Sequence, residues 1–198
     1  MMTRMQGYDT ETALIVVDVQ NDFADPNGSL YVAGGDQIIG TINEEIGAAR
    51  EAGALIVYTQ DWHPESTPHF AKDGGIWPVH CVRDTWGAEL HAGLEVQGEI
   101  VRKGTGGEDG YSGFTVRDPD SGETRSTKLE SMLRTRSIEH TVVLGLATDY
   151  CVKETAIDSA LKGFRTVVVT DAIRAVNLEP EDGEKALRAM SAAGAEFV

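Results

Sequence analysis

The sequence predicts an α/β fold of three layers, α/β/α, in which helices cover both faces of a six-stranded parallel sheet. Short apolar runs alternate along the chain with longer amphipathic segments, which is the pattern typical of strand–helix–strand units. The runs are rich in Val, Ile and Leu without alternating polar residues, which indicates strands buried on both faces. With 198 residues, 41% of them hydrophobic, the chain has the size of one domain, which we expect to span residues 1–198.

The first part of the chain contains one such unit. An apolar run at 13–17 predicts the first strand, and a helix is expected over 36–53, where four isoleucines recur at helical spacing. The run 54–59 follows this helix directly and predicts the second strand. Parallel neighbours need a crossover connection of this kind, so the three segments form one strand–helix–strand unit.

The second part of the chain continues the alternation. Small and apolar residues recur four apart after position 151, and Gly163 is placed to end that helix. The elements expected here are strands at 99–102, 141–147, 166–170 and 195–198, and helices at 126–136, 149–163 and 181–193.

Composition and charge exclude several classes of partner. The chain has 17 Lys and Arg against 32 Asp and Glu, so its net charge of -15 repels phosphate backbones and anionic membranes. No apolar run approaches the ~20 residues of a membrane span, and we expect a cytoplasmic protein with a small-molecule substrate, compatible with a homo-oligomer. The two cysteines are too few for a disulfide framework, and Cys81, in a loop, is expected to be buried.

Two long segments break the alternation and are expected to be functional loops. Residues 60–97 hold all three tryptophans and four of the five histidines, and residues 104–122 are rich in glycine and acids. The glycine-rich stretch after Lys103 lacks the Gly-Lys-Ser/Thr ending of a phosphate-binding loop and carries acidic residues, which argues against phosphate binding.

Polar side chains that could carry chemistry follow the predicted strands. Asp18, Lys103 and Cys151 stand at such ends, and ligands bind at the carboxyl edge of open parallel sheets. Cys151 falls in the first turn of a predicted helix with Asp149 as its N-cap, which favours a thiolate near neutral pH. We expect the Lys103 ammonium to lie within hydrogen-bond reach of both Asp18 and Cys151, and the Asp18 carboxylate to serve as base and then as acid. Together these three residues indicate cysteine hydrolase chemistry. The alternative for each is a purely structural role: Cys151 as a thiol packed in the core, Asp18 as a carboxylate hydrogen-bonded to neighbouring N–H groups, and Lys103 as a surface lysine.

The loop after the second strand carries a candidate metal site. Its residues follow the spacing D-x-H-x5-H, with a further histidine after ten intervening residues, and they are Asp61, His63, His69 and His80. Such a mixed nitrogen and oxygen set suits Zn, Fe or Mn and leaves coordination positions open for water or substrate. The ordinary alternatives are solvent-exposed loop histidines and an aspartate in a turn.

Six motifs in order resemble the nicotinamidase/pyrazinamidase members of the isochorismatase-like cysteine hydrolases. They are ALIVVDVQNDF (13–23), QDWH (60–63), WPVHC (77–81), RKG (102–104), YSGF (111–114) and GLATDYCV (145–152). The resemblance implies a six-stranded parallel sheet between helical layers and hydrolysis of nicotinamide to nicotinate and ammonia, with one divalent metal ion as cofactor.

The resemblance also implies roles for individual residues. Cys151 matches the nucleophile, Asp18 the general acid and base, and Lys103 the bridging ammonium. Asp61, His63 and His80 match metal ligands, and His69 matches a histidine that ligates in some members only. Phe23, Trp77 and Tyr111 match the aromatic walls of the substrate pocket, whose alternative role is core packing. Leu146–Ala147 matches a cis peptide, and the N–H groups of Ala147 and Cys151 match the oxyanion hole.

Two departures from the family pattern border the pocket. Tyr150 stands where some members have histidine, and the segment 104–110 is acidic and rich in glycine, so the order of preference among nicotinamide, pyrazinamide and related amides stays open. Three other functions are considered: a metal-independent amidase for another carboxamide, an isochorismatase cleaving a vinyl ether, and a non-catalytic metal- or metabolite-binding protein. The metal-ligand set argues against the first, Cys151 against the second, and the complete catalytic set against the third.

Overall fold

The computed structural model describes residues 7–198. The strands are β1 (Thr12–Val17), β2 (Leu55–Asp61), β3 (Glu99–Lys103), β4 (Thr115–Arg117), β5 (Thr124–Ser126), β6 (His140–Leu146), β7 (Arg165–Arg174) and β8 (Glu196–Phe197). The α-helices are α1 (Asn21–Ala24), α2 (Ile39–Glu51), α3 (Leu129–Thr135), α4 (Lys153–Leu161) and α5 (Asp182–Ala192). Short 3-10 turns occur at Asp36–Ile38, Ala71–Asp73 and Trp86–Ala88, and a π-helical turn at Thr148–Val152.

Six of the strands form one parallel sheet in the order β3-β2-β1-β6-β7-β8, which confirms the predicted fold class. All six residues of β1 and all seven of β2 are buried, as expected for strands covered on both faces. From β1 the next strands in the sheet are β2 and then β3, and from β6 on the other side they are β7 and then β8. The crevice between the carboxyl ends of β1 and β6 is therefore the point where this class of sheet binds ligands.

The close approach of β6 to β1 depends on a glycine. Gly145 has a φ of +116°, a conformation that side chains rarely adopt, and an added Cβ would lie 2.2 Å from the carbonyl oxygen of Val17. The pairing of β6 with β7 shifts register between Val143 and Gly145. Glycine at this position therefore brings the end of β6 close to the end of β1.

The structure differs from the predicted elements in three places. β7 continues to Arg174 instead of ending at residue 170, and α3 begins at Leu129 because 124–126 form β5. β5 pairs with β4 in an antiparallel hairpin that begins inside the expected loop 104–122 and ends at Ser126, where the predicted helix was to start. Strands of three residues are too short to carry a periodic signal in the sequence, so the hairpin could not be predicted.

The helices cover the sheet with small apolar faces. α2 packs against β1, β2 and β7, and its Ile42 and Ile46 are fully buried. α4 packs against β6, β7 and α5. Within residues 7–198, no helix is both long enough and apolar enough to cross a membrane.

The long segment between β2 and β3 folds over the carboxyl edge of the sheet. Isolated bridges join His63 to Val82 and Gln20 to Leu90, so the loop is tied to the strand ends rather than extended into solvent. The Gln20 side chain accepts from the Asp61 backbone N–H (2.8 Å) and donates to the Asp61 and Ala88 carbonyls (2.8 and 2.9 Å). This double contact fixes the end of β2 beside the end of β1.

Candidate active site and metal centre

Lys103 lies at the centre of a buried charged cluster at the carboxyl edge of the sheet. Its Nζ lies 2.7 Å from Asp18 Oδ2, 2.5 Å from Asp61 Oδ1 and 3.6 Å from Cys151 Sγ, and it also donates to the Gly110 carbonyl. Lys103 is only 1% exposed and Asp18 is fully buried. The structure therefore brings the three predicted catalytic side chains together, with Asp61 as a second carboxylate that the predicted triad did not include.

Asp18 is positioned by the residues at the ends of β1 and β2. It has a left-handed φ of 47°, which turns the chain sharply out of β1. Its Oδ1 accepts from the Thr59 hydroxyl at 2.7 Å, so Oδ2 faces Lys103. A carboxylate oxygen of Asp18 and the Cys151 sulfur lie within 4.8 Å of each other. Asp18 is therefore placed beside the thiol.

Cys151 lies in the π-helical turn that precedes α4. The predicted capping by Asp149 is wrong: Ala147 is the N-cap of this turn, and no side chain of the described part of the chain caps it. The carboxylate of Asp149 instead accepts from the backbone N–H groups of Val176 and Asn177, at 2.9 and 2.8 Å. These two amides lie 27 and 28 residues away, so local capping rules could not identify this contact.

The peptide bond between Leu146 and Ala147 is cis, as the resemblance implies. It lies directly between β6 and the turn that holds Cys151. Ala147 and Cys151 both line the cavity above the sheet edge.

Burial sets the protonation of the catalytic cluster. It raises the pKa of Asp18 above its usual range, and the Lys103 ammonium offsets part of that rise. It also raises the pKa of the Cys151 thiol well above its usual value, again opposed by Lys103. Burial opposes the charge of Lys103, but Asp18 and Asp61 outweigh it and hold the Lys103 pKa well above its usual value. The structure thus favours a neutral Cys151 thiol near pH 7, where the sequence predicted a thiolate, because burial exceeds the effect of one ammonium.

The predicted metal-binding residues also lie together and are all buried. The ligand atoms of His63, His69 and His80 are within 4.8 Å of one another. Asp61 divides its carboxylate, with Oδ1 on Lys103 and Oδ2 3.7 Å from His63 Nε2. Burial opposes ionisation of Asp61, but Lys103 and His63 outweigh it and hold its pKa well below the usual range.

The state of the histidine rings fits a metal ion. Both ring nitrogens of His63 are buried and have no hydrogen-bond partner among residues 7–198, which is costly unless another group binds them. Burial lowers the pKa of His80 to about 4 and lowers that of His69, so both rings are neutral, as metal ligands must be. Three imidazoles and one carboxylate are a donor set that suits Zn, Fe or Mn.

Aromatic side chains form the wall of the cavity beside Cys151. Trp77 Nε1–H donates to the Tyr111 hydroxyl at 2.8 Å, and the Trp77 and Tyr150 rings meet edge to face at 4.8 Å. Phe23 packs against His80 with ring centroids 5.4 Å apart. All the predicted pocket residues therefore line the cavity: Phe23, Trp77, Tyr111, Ala147 and Tyr150.

Besides Thr59, three further polar residues that support the site were not identified from the sequence. Gln20 holds the backbone of Asp61, as described above, and Asp22 accepts from the backbone N–H groups of Cys81 and Ser29 at 2.7 and 3.0 Å. Asp109 accepts from His69 Nδ1 at 2.8 Å. Gln20 and Asp22 lie within the motif 13–23, which could have suggested them, whereas Asp109 lies in the acidic loop segment expected to border the pocket, where no single residue was assigned a role. Cys81 is fully buried, as expected.

The family model for the isochorismatase domain matches residues 12–198. The chain belongs to the isochorismatase family. This membership confirms the resemblance found from the six sequence motifs, and it accounts for the arrangement of the sheet and the crevice.

Relatives within the isochorismatase family extend the comparison. The nicotinamidase of Escherichia coli is 37% identical over 201 residues, covering 92% of each chain. The crystal structure of the Pyrococcus horikoshii pyrazinamidase in complex with zinc is 42% identical, covers 95% of this chain and 98% of that one, and superposes with a TM-score of 0.85. The yeast nicotinamidase bound to the inhibitor nicotinaldehyde is 31% identical, with coverage of 94% and 99% and a TM-score of 0.86.

Proposed function

We propose that this chain hydrolyses nicotinamide to nicotinate and ammonia through a thioester on Cys151. The observation that carries the proposal is the convergence of Asp18, Lys103 and Cys151 beneath an aromatic cavity, in a chain similar to nicotinamidases over nearly its whole length. The similarity to a pyrazinamidase supports pyrazinamide, a related heteroaromatic amide, as a second substrate.

In the first half of the reaction, Asp18 accepts the proton of Cys151 while the sulfur attacks the carboxamide carbon. The carbon becomes tetrahedral, and its oxygen accepts from the N–H groups of Ala147 and Cys151. Asp18 then gives the proton to the nitrogen, the carbon–nitrogen bond breaks, and ammonia leaves. A nicotinoyl group remains on the sulfur as a thioester.

In the second half, Asp18 takes a proton from a water molecule, and the resulting hydroxide attacks the thioester carbon. The carbon–sulfur bond breaks, Asp18 returns its proton to the sulfur, and the nicotinic acid that forms releases its own proton to solvent to give nicotinate. A raised Asp18 pKa suits both halves, because the same carboxyl group must accept a proton and release it. Lys103 stays charged and offsets the negative charge that moves between Asp18 and Cys151.

The aromatic walls and the candidate metal ligands hold the pyridine ring of the substrate. Phe23, Trp77 and Tyr111 supply the apolar walls, which position the carboxamide toward the sulfur. Asp61, His63, His69 and His80 would hold a divalent metal ion, supported by the unpartnered nitrogens of His63 and by zinc in the similar pyrazinamidase. Such an ion would supply a Lewis-acidic position for the lone pair of the pyridine nitrogen.

The test is release of ammonia and nicotinate from nicotinamide by the purified chain, before and after treatment with a chelator and after zinc is restored. We expect turnover that chelation lowers and zinc restores. Pyrazinamide and a small aliphatic carboxamide run in parallel separate the substrate classes. A chain that hydrolyses only the aliphatic amide would contradict nicotinamide as substrate, and a chain that hydrolyses none would favour the non-catalytic binding protein.

A further inference from the structure

Within residues 7–198, His69 is the histidine of this cluster whose ring nitrogen hydrogen-bonds to a carboxylate. Its Nδ1 lies 2.8 Å from Asp109 Oδ1, and its side chain is only 5% exposed. The ring stacks on His63, with centroids 5.0 Å apart and planes at 26°, and lies 5.4 Å from the His80 ring. Asp109 thus contacts the His69 ring at Nδ1.

This contact decides which ring nitrogen of His69 is free. A neutral imidazole carries one hydrogen, and a carboxylate can only accept one, so Nδ1 is the donor and Nε2 keeps its lone pair. The carbonyl of Pro78 acts in the same way on His80 Nδ1, at 2.8 Å. Both rings therefore keep Nε2 as the nitrogen that can ligate.

Asp109 is itself held in place by its backbone. Its N–H donates to the Arg117 carbonyl and its carbonyl accepts from the Arg117 N–H, each at 2.8 Å. The same segment is joined to the His69 loop a second time, because the Thr67 hydroxyl donates to the Gly107 carbonyl at 2.8 Å. The acidic, glycine-rich segment thus delivers a fixed carboxylate to His69.

We infer that Asp109 is a positioning residue that makes His69 a metal ligand by fixing its tautomer and its ring orientation. A carboxylate on the far nitrogen of a ligating histidine raises the basicity of the near nitrogen, and loss of such a partner costs ~10- to 100-fold in metal affinity. This inference rests on the metal site of the proposed function and assigns a specific task to the acidic segment 104–110.

The experiment measures the dissociation constant for Zn²⁺ by competition with a chromophoric chelator, so no activity is needed. The variants are Asp109→Ala, Asp109→Asn, His69→Ala and the double variant Asp109→Ala/His69→Ala. Glu108→Gln is the matched control, because it removes the same charge one residue away and its carboxylate accepts from the Gly106 N–H, at 2.8 Å, rather than from a histidine ring. Unfolding by urea checks that each variant is folded.

We expect Asp109→Ala to weaken Zn²⁺ binding ~10- to 100-fold, Glu108→Gln to stay within about twofold of the unmutated chain, and the double variant to bind like His69→Ala. In the zinc-free unmutated chain, ¹⁵N NMR of the histidine rings should place the His69 hydrogen on Nδ1. Asp109→Asn keeps the size of the side chain and should shift this signal.

Two results would overturn the inference: Asp109→Ala binding Zn²⁺ like Glu108→Gln, or a double variant clearly weaker than His69→Ala. If the unmutated chain itself binds no Zn²⁺, the proposed metal site fails together with the role of Asp109. Failure of nicotinamide hydrolysis with Zn²⁺ affinities as expected would contradict the proposed function alone.

Discussion

Replacing Lys103 with methionine should destabilise the protein by about 3–5 kcal/mol at neutral pH, because it leaves two buried carboxylates without their counter-ion. Asp18 lies 2.7 Å and Asp61 2.5 Å from the ammonium, and both are at most 4% exposed. At an effective dielectric constant of about 20, each pair contributes roughly 6 kcal/mol of attraction before desolvation is subtracted. Methionine removes the desolvation cost of the ammonium, so the net loss is smaller than this gross attraction.

The stability lost in Lys103→Met should depend on pH in a direction that follows from the pKa shifts. The pKa of Lys103 is raised in the folded protein, so its contribution is fully present below the ordinary lysine pKa and unchanged between pH 7 and pH 5. The pKa of Asp61 is held below its usual range, so its contribution is lost only as pH falls below that range. Without Lys103, burial raises the pKa of both carboxyls, and the variant regains stability as acid protonates them. The difference in free energy of unfolding should therefore shrink from pH 7 to pH 5.

The assay is urea unfolding at both pH values with a chelator present, so that no cation replaces the lost charge. Lys72→Met is the control, because Lys72 forms a 2.7 Å pair with Asp73 but its side chain is 45% exposed. Such an exposed pair contributes at most about 1 kcal/mol. If Lys103→Met cost no more than Lys72→Met, or if the difference did not narrow at pH 5, the ammonium would not be compensating the buried carboxylates.

Three further predictions concern the pocket and the metal site. Trp77→Phe removes the indole N–H that donates to the Tyr111 hydroxyl at 2.8 Å but keeps an aromatic ring. Steady-state kinetics should therefore show a KM for nicotinamide roughly 2- to 10-fold higher with kcat little changed. An unchanged KM would contradict this prediction. Benzamide, which lacks the ring nitrogen, should have a kcat/KM at least ~100-fold below that of nicotinamide, and equal values would exclude recognition of that nitrogen. Gly104 has a φ of +70°, and Gly104→Ala would place a Cβ 2.6 Å from His63 Cε1. Competition with a chelator should therefore show a Zn²⁺ affinity at least ~10-fold weaker. An unchanged affinity would mean that the His63 ring can move away from the added methyl group without loss of binding.

The catalytic cluster could be predicted because it follows from the order of the strands. Asp18, Lys103 and Cys151 end or follow three strands of one parallel sheet, and such ends must converge on one edge. The grouping of the candidate metal ligands could be predicted from their spacing and from the family motifs.

The remaining features depend on contacts between distant parts of the chain. Asp149 meets its amide partners after β7, and Asp109 meets His69 through a loop of irregular conformation, so no local pattern reports either contact. Burial opposes the thiolate expected at Cys151, because the sequence suggests a helix start but does not give the depth of burial. The contacts of single loop residues and the depth at which a side chain is buried can be determined only from the folded structure.

The most direct test of the account is ammonia release from nicotinamide by the unmutated chain, Cys151→Ala and Cys81→Ala. Both variants remove one buried thiol, but only Cys151 contacts Lys103. The account predicts that Cys151→Ala loses at least ~1000-fold in kcat while remaining folded, and that Cys81→Ala stays within about tenfold of the unmutated chain. A folded Cys151→Ala variant that retained a tenth or more of the unmutated rate would contradict covalent catalysis by Cys151.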